Sequence, residues 1–329
     1  MSAATGLAGD GVVTIGETMA LLTSPSGRHL RGGSRLPVGI GGAESNVAIG
    51  LARLDVPVIW ISRVGDDAFG SLVVREIRAE GVQVSATVDP DARTGLMVKE
   101  QLHGTPWRVR YYRDGSAASR LAPADIEAAS EAIAAARVLH LTGITAALSA
   151  SAQAAVHRAV EIARAAGTLV SFDVNHRAAL WSAVQAAPVL AGLCAAADLV
   201  FAGTAEAALV LGTAIDDRSD DESLARGVGK LGPSTVVLKL GARGALALTG
   251  DRTTVAPTEP VDVVDPVGAG DAFVAGYLSA LVQDRPVADC LQRGNLVGGA
   301  VCRVPGDWEG LPTPQELEQL GSHLEDVVR

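Results

Sequence analysis

The chain has 329 residues, 48% of them hydrophobic and 19% charged, which suits one large or two medium globular domains. Its 27 basic and 37 acidic residues give a net charge of −10 without a long basic run, so nucleic acid and anionic membranes are excluded as main partners. We expect a cytoplasmic protein, since no stretch reads as a signal peptide or membrane span. The cysteines form no CxxC motif or Cys/His cluster, which predicts reduced thiols: Cys194, Cys290 and Cys302.

The hydrophobic pattern predicts strands that alternate with helices. The predicted strands lie at 12–15, 58–64, 138–141, 169–174, 199–202 and 236–240, and a hairpin-like stretch follows at 245–264. The predicted helices lie at 47–54, 68–80, 125–135, 150–166, 182–196, 205–211, 221–231, 271–283 and 287–303, with one more from about 315. This alternation indicates an α/β fold with a mainly parallel central sheet flanked by helices. We expect a single domain over 1–329, with ligands bound beyond the carboxyl ends of the strands.

Two segments interrupt this pattern. Residues 93–115 alternate apolar and polar side chains around a Gly104-Thr105-Pro106 turn, which predicts an antiparallel hairpin with one solvated face. An extended, Arg- and Gly-rich segment lies at about 17–40. We expect these lid segments to form a small β-sheet that covers the main body. An exposed sheet face also favours pairing with a second subunit, so we expect a homo-oligomer through the lid.

The most informative stretch is 265–277, where a loop of very small residues runs into an apolar helix. Gly268, Ala269 and Gly270 leave backbone N–H groups accessible at the positive end of the helix dipole, which predicts an anion site. Asp271 follows directly, and a carboxylate there can take a proton from a hydroxyl while the amides stabilise a transferring phosphoryl group. The alternative is a helix N-cap beside a glycine turn.

Other polar residues follow predicted strands. Asp173, Asn175 and Arg177 lie at one strand end, where Arg177 can bind an anion or simply pair with Asp173. Tyr111 and Arg113 share one face of the predicted hairpin and either reach over a ligand or lie on an edge strand. Two glycine-rich turns, 41–46 and 239–245, either let a ligand approach the backbone or are plain turns. The histidines show no metal-ligand spacing.

Together these features resemble the ribokinase-like (PfkB) carbohydrate kinases. Gly41-Gly42-Ala43-Glu44-Ser45-Asn46 looks like the first signature of that family, and Asp265-Pro266-Val267-Gly268-Ala269-Gly270-Asp271 looks like the second. The resemblance covers about 11–325. Four further segments are most similar to family members that phosphorylate 2-keto-3-deoxygluconate: 29–32, 111–117, 139–144 and 173–177.

The resemblance implies a ribokinase-like fold and ATP-dependent phosphorylation, with Mg2+, of the terminal hydroxyl of that sugar acid. Asp271 would be the base, and the backbone of Gly268, Ala269 and Gly270 the anion hole. The residues that would bind the sugar acid are Gly42, Ala43, Asn46, Tyr111, Arg113, Arg177 and Asp307. The residues that would bind the nucleotide are Gly203, Lys239, Gly241, Gly244 and Asn295. Glu206 would hold Mg2+ through water.

Two positions depart from the family pattern. Gly203 stands where relatives often carry Asn or Ser, and Met97 where some carry Tyr. The alternatives are a kinase for a neutral sugar such as fructose or ribose, and a non-catalytic sugar sensor. Two buried, unpaired arginines would favour the acidic substrate, because a neutral sugar needs no converging cations. The C4 epimer preferred, the oligomeric state and dependence on K+ stay open.

Overall fold

A computed structural model of the protein describes residues 9–24, 30–100, 108–213 and 220–322. The strands in it are β1 Val12–Ile15, β2 Met19–Thr23, β3 Val38–Gly41, β4 Val58–Gly65, β5 Gln83–Asp89, β6 Leu96–Glu100, β7 Arg108–Tyr112, β8 Val138–Thr142, β9 Leu169–Asp173, β10 Leu199–Gly203, β11 Thr235–Lys239, β12 Ala245–Thr249 and β13 Arg252–Ala256. The helices are α1 Ala43–Arg53, α2 Ala68–Ala79, α3 Pro123–Glu127, α4 Ser130–Ala135, α5 Gly143–Ala147, α6 Ala150–Ala166, α7 Ala183–Ala196, α8 Thr204–Leu211, α9 Asp221–Gly229, α10 Ala269–Leu281, α11 Val287–Val301 and α12 Pro314–Ser322.

Nine strands form the main sheet in the order β13-β12-β11-β10-β9-β8-β1-β4-β5. All neighbours from β11 to β5 are parallel, and β12 and β13 add an antiparallel edge. The strand order reverses beside β1, because the chain continues from there to β4 and later returns to β8. At such a reversal, the loops after neighbouring strands leave a crevice at the carboxyl edge of the sheet.

Helices cover both faces of this sheet. On one face Leu139 and Phe172 pack with residues of α6 and α7, and on the other Trp60 and Phe201 pack with residues of α1, α10 and α11. Both faces are therefore buried, which explains why the central strands are continuous runs of apolar residues rather than alternating ones. No helix within the described residues is long and apolar enough to cross a membrane.

The lid is a separate four-stranded sheet in the order β3-β2-β6-β7. β2 pairs in parallel with β6, while β3 and β7 pair antiparallel on the outside. Met19, Leu21 and Met97 are buried on one face and form a small cluster of their own. The predicted hairpin within 93–115 is confirmed, whereas its proposed 104–106 turn and the 25–29 part of the other lid segment, with His29, lie outside the described residues.

The predicted strands and most of the predicted helices are confirmed. The predicted helix 125–135 is wrong in one respect, because the helix is interrupted at Ala128–Ala129. The two shorter helices, α3 and α4, both pack on α6. β5 and α5 were not predicted. Two helices begin earlier than predicted, at Ala43 and Ala269, because each starts inside a glycine-rich loop. At both places the loop itself therefore supplies the first turn of the helix.

Candidate active site

The loop 265–271, called the anion loop below, reaches α10 through a backbone conformation that requires glycine. Gly268 has a φ of 81°, and a Cβ atom there would lie 1.8 Å from the carbonyl oxygen of Asp307. The N–H of Ala269 donates to the carbonyl of Pro266, so it does not belong to the predicted anion hole. Among the described residues, the N–H groups of Gly268, Gly270 and Asp271 have no partner and can bind an anion.

Asp271 is buried at the first turn of α10. Its Oδ2 accepts a hydrogen bond of 2.9 Å from the Asn46 side chain, and its Oδ1 accepts one of 3.4 Å from Asn175. Burial raises the pKa of the Asp271 carboxyl to about 7, although the Asn46 hydrogen bond and the Arg177 charge oppose the rise. A carboxyl with this pKa can take up a proton near neutral pH. The N-cap alternative is wrong, because Gly268 occupies the cap position.

A small pocket of about 70 Å³ lies beside Asp271, between the main body and the lid. All the residues predicted to bind the sugar acid line it: Gly42, Ala43, Asn46, Tyr111, Arg113, Arg177 and Asp307. Gly42 must be small, since a Cβ there would lie 2.2 Å from the carbonyl oxygen of Glu17. Met97, one of the two departures from the family pattern, also faces this pocket.

The two arginines of the small pocket differ in charge environment. Arg113 is buried and donates through Nε to the equally buried Glu17 at 2.7 Å, while Ser116 donates to the other oxygen of that carboxylate at 2.5 Å. The charge of Arg113 is therefore compensated within the protein. Arg177 is exposed, and within the described residues its guanidinium makes no hydrogen bond or ion pair. Arg177 also lines a larger cleft on the other side of Asp271, so it can reach a ligand in the small pocket or in that cleft.

Asp173 pairs with Lys239 rather than with Arg177. The Lys239 ammonium donates to Asp173 Oδ2 at 2.6 Å. Burial alone would lower the pKa of Lys239, but the charges of Asp173 and Glu206 raise it. Lys239 is thus a charged group held at the strand end, next to Gly270.

A large cleft of about 930 Å³ opens on the other side of Asp271. Three predicted nucleotide residues line it, Gly203, Lys239 and Gly241, together with Glu206. Glu206 accepts hydrogen bonds from the N–H groups of His176 and Gly203 at 2.9 and 2.7 Å. Within the described residues, no group of three or more acidic, His or Cys side chains could hold a metal directly.

The large cleft continues into an apolar pocket of about 520 Å³, and both share Lys239, Gly241 and Gly270. The remaining predicted nucleotide residues, Gly244 and Asn295, line this apolar pocket. The Asn295 amide already donates to the carbonyls of Ala256 and Pro257, at 3.0 and 3.2 Å. It therefore fixes the wall of the pocket and leaves only its oxygen for a ligand.

Three site residues received no role from the sequence: Glu17, Lys99 and Asn175. Glu17 follows β1 and Asn175 follows β9, so the position of both after a strand was a usable signal. Asn175 also has a φ of 36°, a left-handed conformation that asparagine tolerates and that is common at functional sites. Lys99 lies within a lid strand and carried no such signal.

The arrangement places a proton acceptor, free amides and the Arg177 guanidinium where the small pocket meets the large cleft, with the Lys239 ammonium farther along the cleft. The small pocket is lined by both polar and apolar side chains, and the large cleft with its apolar extension has room for an extended anionic ligand that ends in an apolar group. Asp271 lies on their boundary and lines both spaces. This geometry suits transfer of a phosphoryl group from a ligand in the large cleft to a hydroxyl in the small pocket.

Comparisons with known proteins agree with this chemistry. The model of the pfkB family carbohydrate kinases matches residues 10–314. The 2-dehydro-3-deoxygluconokinases of Bacillus subtilis (strain 168) and Thermoproteus tenax are 39% and 37% identical to this chain; the alignments cover 93% and 94% of it and 93% of each relative. A 2-dehydro-3-deoxygalactonokinase of Haloferax volcanii is 33% identical, over 94% of this chain and 96% of its own.

Solved structures show the same fold. A PfkB protein from Polaromonas sp. JS666 has a TM-score of 0.83 at 35% identity, over 94% of this chain and 99% of its own. A putative ribokinase II from E. coli, in complex with ATP and Mg2+, has a TM-score of 0.85 at 25% identity, over 95% and 99% of the two chains. The predicted α/β fold, with its mainly parallel sheet and small second sheet, is thereby confirmed.

Proposed function

Because this chain belongs to the pfkB family of carbohydrate kinases, we propose that it phosphorylates the terminal hydroxyl of 2-keto-3-deoxygluconate with ATP. The products are 2-keto-3-deoxy-6-phosphogluconate and ADP. The observation that carries the proposal is the position of the buried Asp271 between the small pocket and the large cleft. The guanidinium of Arg177, which has no partner among the described residues, lines both. The relatives named as 2-dehydro-3-deoxygluconokinases support this substrate, which is the same compound under its other name.

In the proposed reaction, the sugar hydroxyl lies beside Asp271 in the small pocket. Its oxygen forms a bond to the γ-phosphorus, the bond from that phosphorus to the β-phosphate oxygen breaks, and the hydroxyl proton passes to Asp271. Asn46 and Asn175 hold the carboxylate in place through one oxygen each. The free amides of Gly270 and Asp271 face the charge that spreads over the transferring group.

We place the nucleotide along the large cleft, with its base in the apolar pocket. Gly241, with a φ of 59°, and Gly244, with a φ of 89°, let the backbone run close to a flat ligand. Lys239 lies where cleft and pocket join, so its ammonium would meet the phosphates. The E. coli neighbour with bound ATP and Mg2+ supports ATP as the nucleotide.

The residues of the cleft fit a magnesium ion that is bound through water. Asp173 Oδ1 is buried without a partner among the described residues, and Glu206 faces the cleft with lone pairs to spare. Mg2+ commonly keeps several waters and needs only one or two carboxylates besides the phosphates. When bound, it supplies neutralisation of the phosphate oxygens during transfer. We therefore assign Glu206, which lines the cleft, as the residue that would hold its water shell.

The carboxylate of the substrate is assigned to Arg177, with Tyr111 beside it. The guanidinium of Arg113 lies over one face of the Tyr111 ring, 5.7 Å from the ring centre, and helps to hold that ring in place. Since Glu17 compensates the charge of Arg113, this second arginine is a weaker argument for an acidic substrate. Because the pairing of Arg113 with Glu17 leaves Arg177 as the one arginine assigned to a substrate carboxylate, a kinase for a neutral sugar stays the second candidate.

We also propose that the main body and lid act as one unit, and that two subunits pair through their lids. The strand register puts Leu22, Val38 and Val98 in one row on the lid face opposite Met97. Tyr112 follows on the same face and, like Val38, is about half exposed. Burial of such an apolar face by a second subunit lowers the free energy of the assembly. Sedimentation velocity of the protein and of Val38→Arg tests this, with a shift to monomer expected for the variant.

We infer that the protein works in the cytoplasm, because it uses ATP and its three cysteines are free thiols. The test of the proposed activity is ADP release with Mg2+, ATP and a panel of sugars. The panel holds 2-keto-3-deoxygluconate, its C4 epimer, fructose and ribose. We expect turnover with the acids. Faster turnover with fructose or ribose would support the second candidate, and no sugar-dependent ADP would contradict both.

A further inference from the structure

Lys99 is an ammonium group buried where three distant segments meet. It belongs to the lid strand β6 and is 2% exposed. It donates to Asp265 Oδ2 at 2.5 Å and to Asp307 Oδ1 at 3.2 Å. Asp265 opens the anion loop, and Asp307 lines the small pocket. We propose that Lys99 is a positioning residue, which holds the lid and the anion loop in the one arrangement that permits transfer.

The first step of the argument concerns charge. A buried ammonium is costly unless carboxylates compensate it, and here two carboxylates from different segments do so. Burial raises the pKa of Asp307, and the Lys99 charge opposes that rise. Lys99 therefore keeps two acidic segments together that would repel each other without it.

The second step concerns what the two carboxylates carry. Asp265 accepts the N–H of Val267 through Oδ1 at 3.2 Å and the N–H of Gly306 through Oδ2 at 3.3 Å. The carbonyl of Asp307 lies against Gly268, where it leaves no room for a Cβ atom. A shift of either aspartate therefore displaces Gly268, and with it the free amides beside Asp271.

The third step concerns the lid. The neighbour of Lys99 on the same face of β6 is Met97, which lines the small pocket. The position of this strand therefore sets both the roof of the small pocket and the position of the anion loop. Lys99 touches no reacting atom in this arrangement, so its effect on turnover acts through Asp265 and Asp307.

This inference rests on the proposed kinase activity, but its test has a readout that needs no turnover. Lys99→Met removes the charge at similar volume, and Lys230→Met, on the exposed end of α9, is the matched control. We expect hydrogen–deuterium exchange of 265–271 and 96–100 to rise together in Lys99→Met and to stay unchanged in the control. Unchanged exchange at 265–271 would overturn the inference, whatever the activity of the wild type.

Turnover gives the second readout. A misplaced site commonly costs about 10²-fold in rate, so we expect a fall in kcat of that order for Lys99→Met, beyond any change in KM for ATP. A cavity of about 270 Å³ reaches Lys99 and Asp265 from the outer side of the anion loop. Methylammonium should therefore restore part of kcat to Lys99→Ala, and K+ in its place tests whether charge alone suffices.

A further variant separates positioning from stability. Lys99→Met combined with Asp265→Asn removes one uncompensated charge and should recover much of the lost thermal stability. We expect kcat to remain low in this double variant, since the link between lid and loop is still missing. A double variant with wild-type kcat would overturn the inference, because Lys99 would then serve stability alone. Absence of sugar-dependent ADP in the wild type would instead contradict the proposed function.

Discussion

Asn46 donates its side-chain amide to Asp271 across 225 residues of sequence, at 2.9 Å. The hydrogen bond joins the glycine-rich turn 41–46 to the anion loop 265–271, which lie near opposite ends of the chain. It also gives Asn46 a definite task, because the residue orients the carboxylate that we propose as the base. The same side chain lines the small pocket, so it can contact the sugar as well.

Asp271→Asn should fold normally and lose most of its activity. The amide has the same shape, but it cannot take up the hydroxyl proton. General-base catalysis commonly contributes about 10²–10⁴-fold, and we expect kcat to fall within that range. Steady-state ADP release measures the fall, and the thermal midpoint controls for folding. A variant with near wild-type kcat would show that Asp271 is not the base.

The pH dependence should report the same carboxyl. Its pKa of about 7 is raised by burial, so the group is protonated, and inactive as a base, at lower pH. We expect kcat/KM to rise with pH up to about 7 and then level off. The Arg177 charge holds this pKa down, so Arg177→Gln should move the rise to higher pH. A rise at the same pH in that variant would contradict the proposed proximity.

Arg177→Leu should lose activity selectively with the sugar acid. Its guanidinium is exposed and, within the described part of the chain, unpaired, so its removal should not harm the fold. We expect KM for 2-keto-3-deoxygluconate to rise by at least tenfold, since a hydrogen bond to a charged group is worth about 1.5–3 kcal/mol. At a pH well above 7, where Asp271 is deprotonated in both proteins, any activity with fructose or ribose should change little. Equal losses on both sugars would refute the assignment to the carboxylate.

Arg113→Leu is the matched contrast to Arg177→Leu. This variant leaves the buried Glu17 carboxylate without its compensating cation. Breaking such a pair commonly lowers the free energy of unfolding by about 3–5 kcal/mol. Chemical denaturation should therefore show a large loss of stability for Arg113→Leu. Arg113→Leu combined with Glu17→Leu should recover part of it. A fully stable single variant would contradict a stabilising role for the buried ion pair between Arg113 and Glu17.

Gly268→Ala should disable the anion loop, whereas Gly270→Ala should be tolerated by the fold. At Gly268 both the positive φ and the Asp307 carbonyl exclude a side chain. Strain of this kind costs on the order of 1–3 kcal/mol, and the loop must shift to relieve it. At Gly270 a Cβ would meet only the Lys239 ammonium, at 3.5 Å. Thermal midpoints and ADP release on both variants check the difference.

The sequence sufficed for most of the main sheet and for the position of the anion loop. Buried parallel strands such as β9 and β10 leave unbroken apolar runs, and helix starts such as Gly268 leave strings of small residues. β5 was missed although it alternates Val84, Ala86 and Val88 with polar residues, a pattern typical of an edge strand. The signal was present, but it lay between two stronger elements.

Side-chain partners could not be read from the sequence, because they depend on contacts between distant segments. Arg113 meets Glu17 across 96 residues, and Lys239 meets Asp173 across 66. Either arginine of the small pocket could have been the free one. Only the packing of the lid on the main body makes Arg113 part of a buried ion pair and leaves Arg177 open to a ligand.

The contacts of Lys99 also bear on how the protein is made. The two carboxylates that compensate its charge follow it by 166 and 208 residues, so a chain still on the ribosome carries the lysine long before its partners. Asp271 likewise emerges long after Asn46. A chain that ends before Asp265 can form much of the main sheet, yet it lacks the anion loop and both carboxylates that compensate Lys99. Such a chain also lacks Asp271, so it cannot use ATP for transfer. The complete site forms only when synthesis is nearly finished.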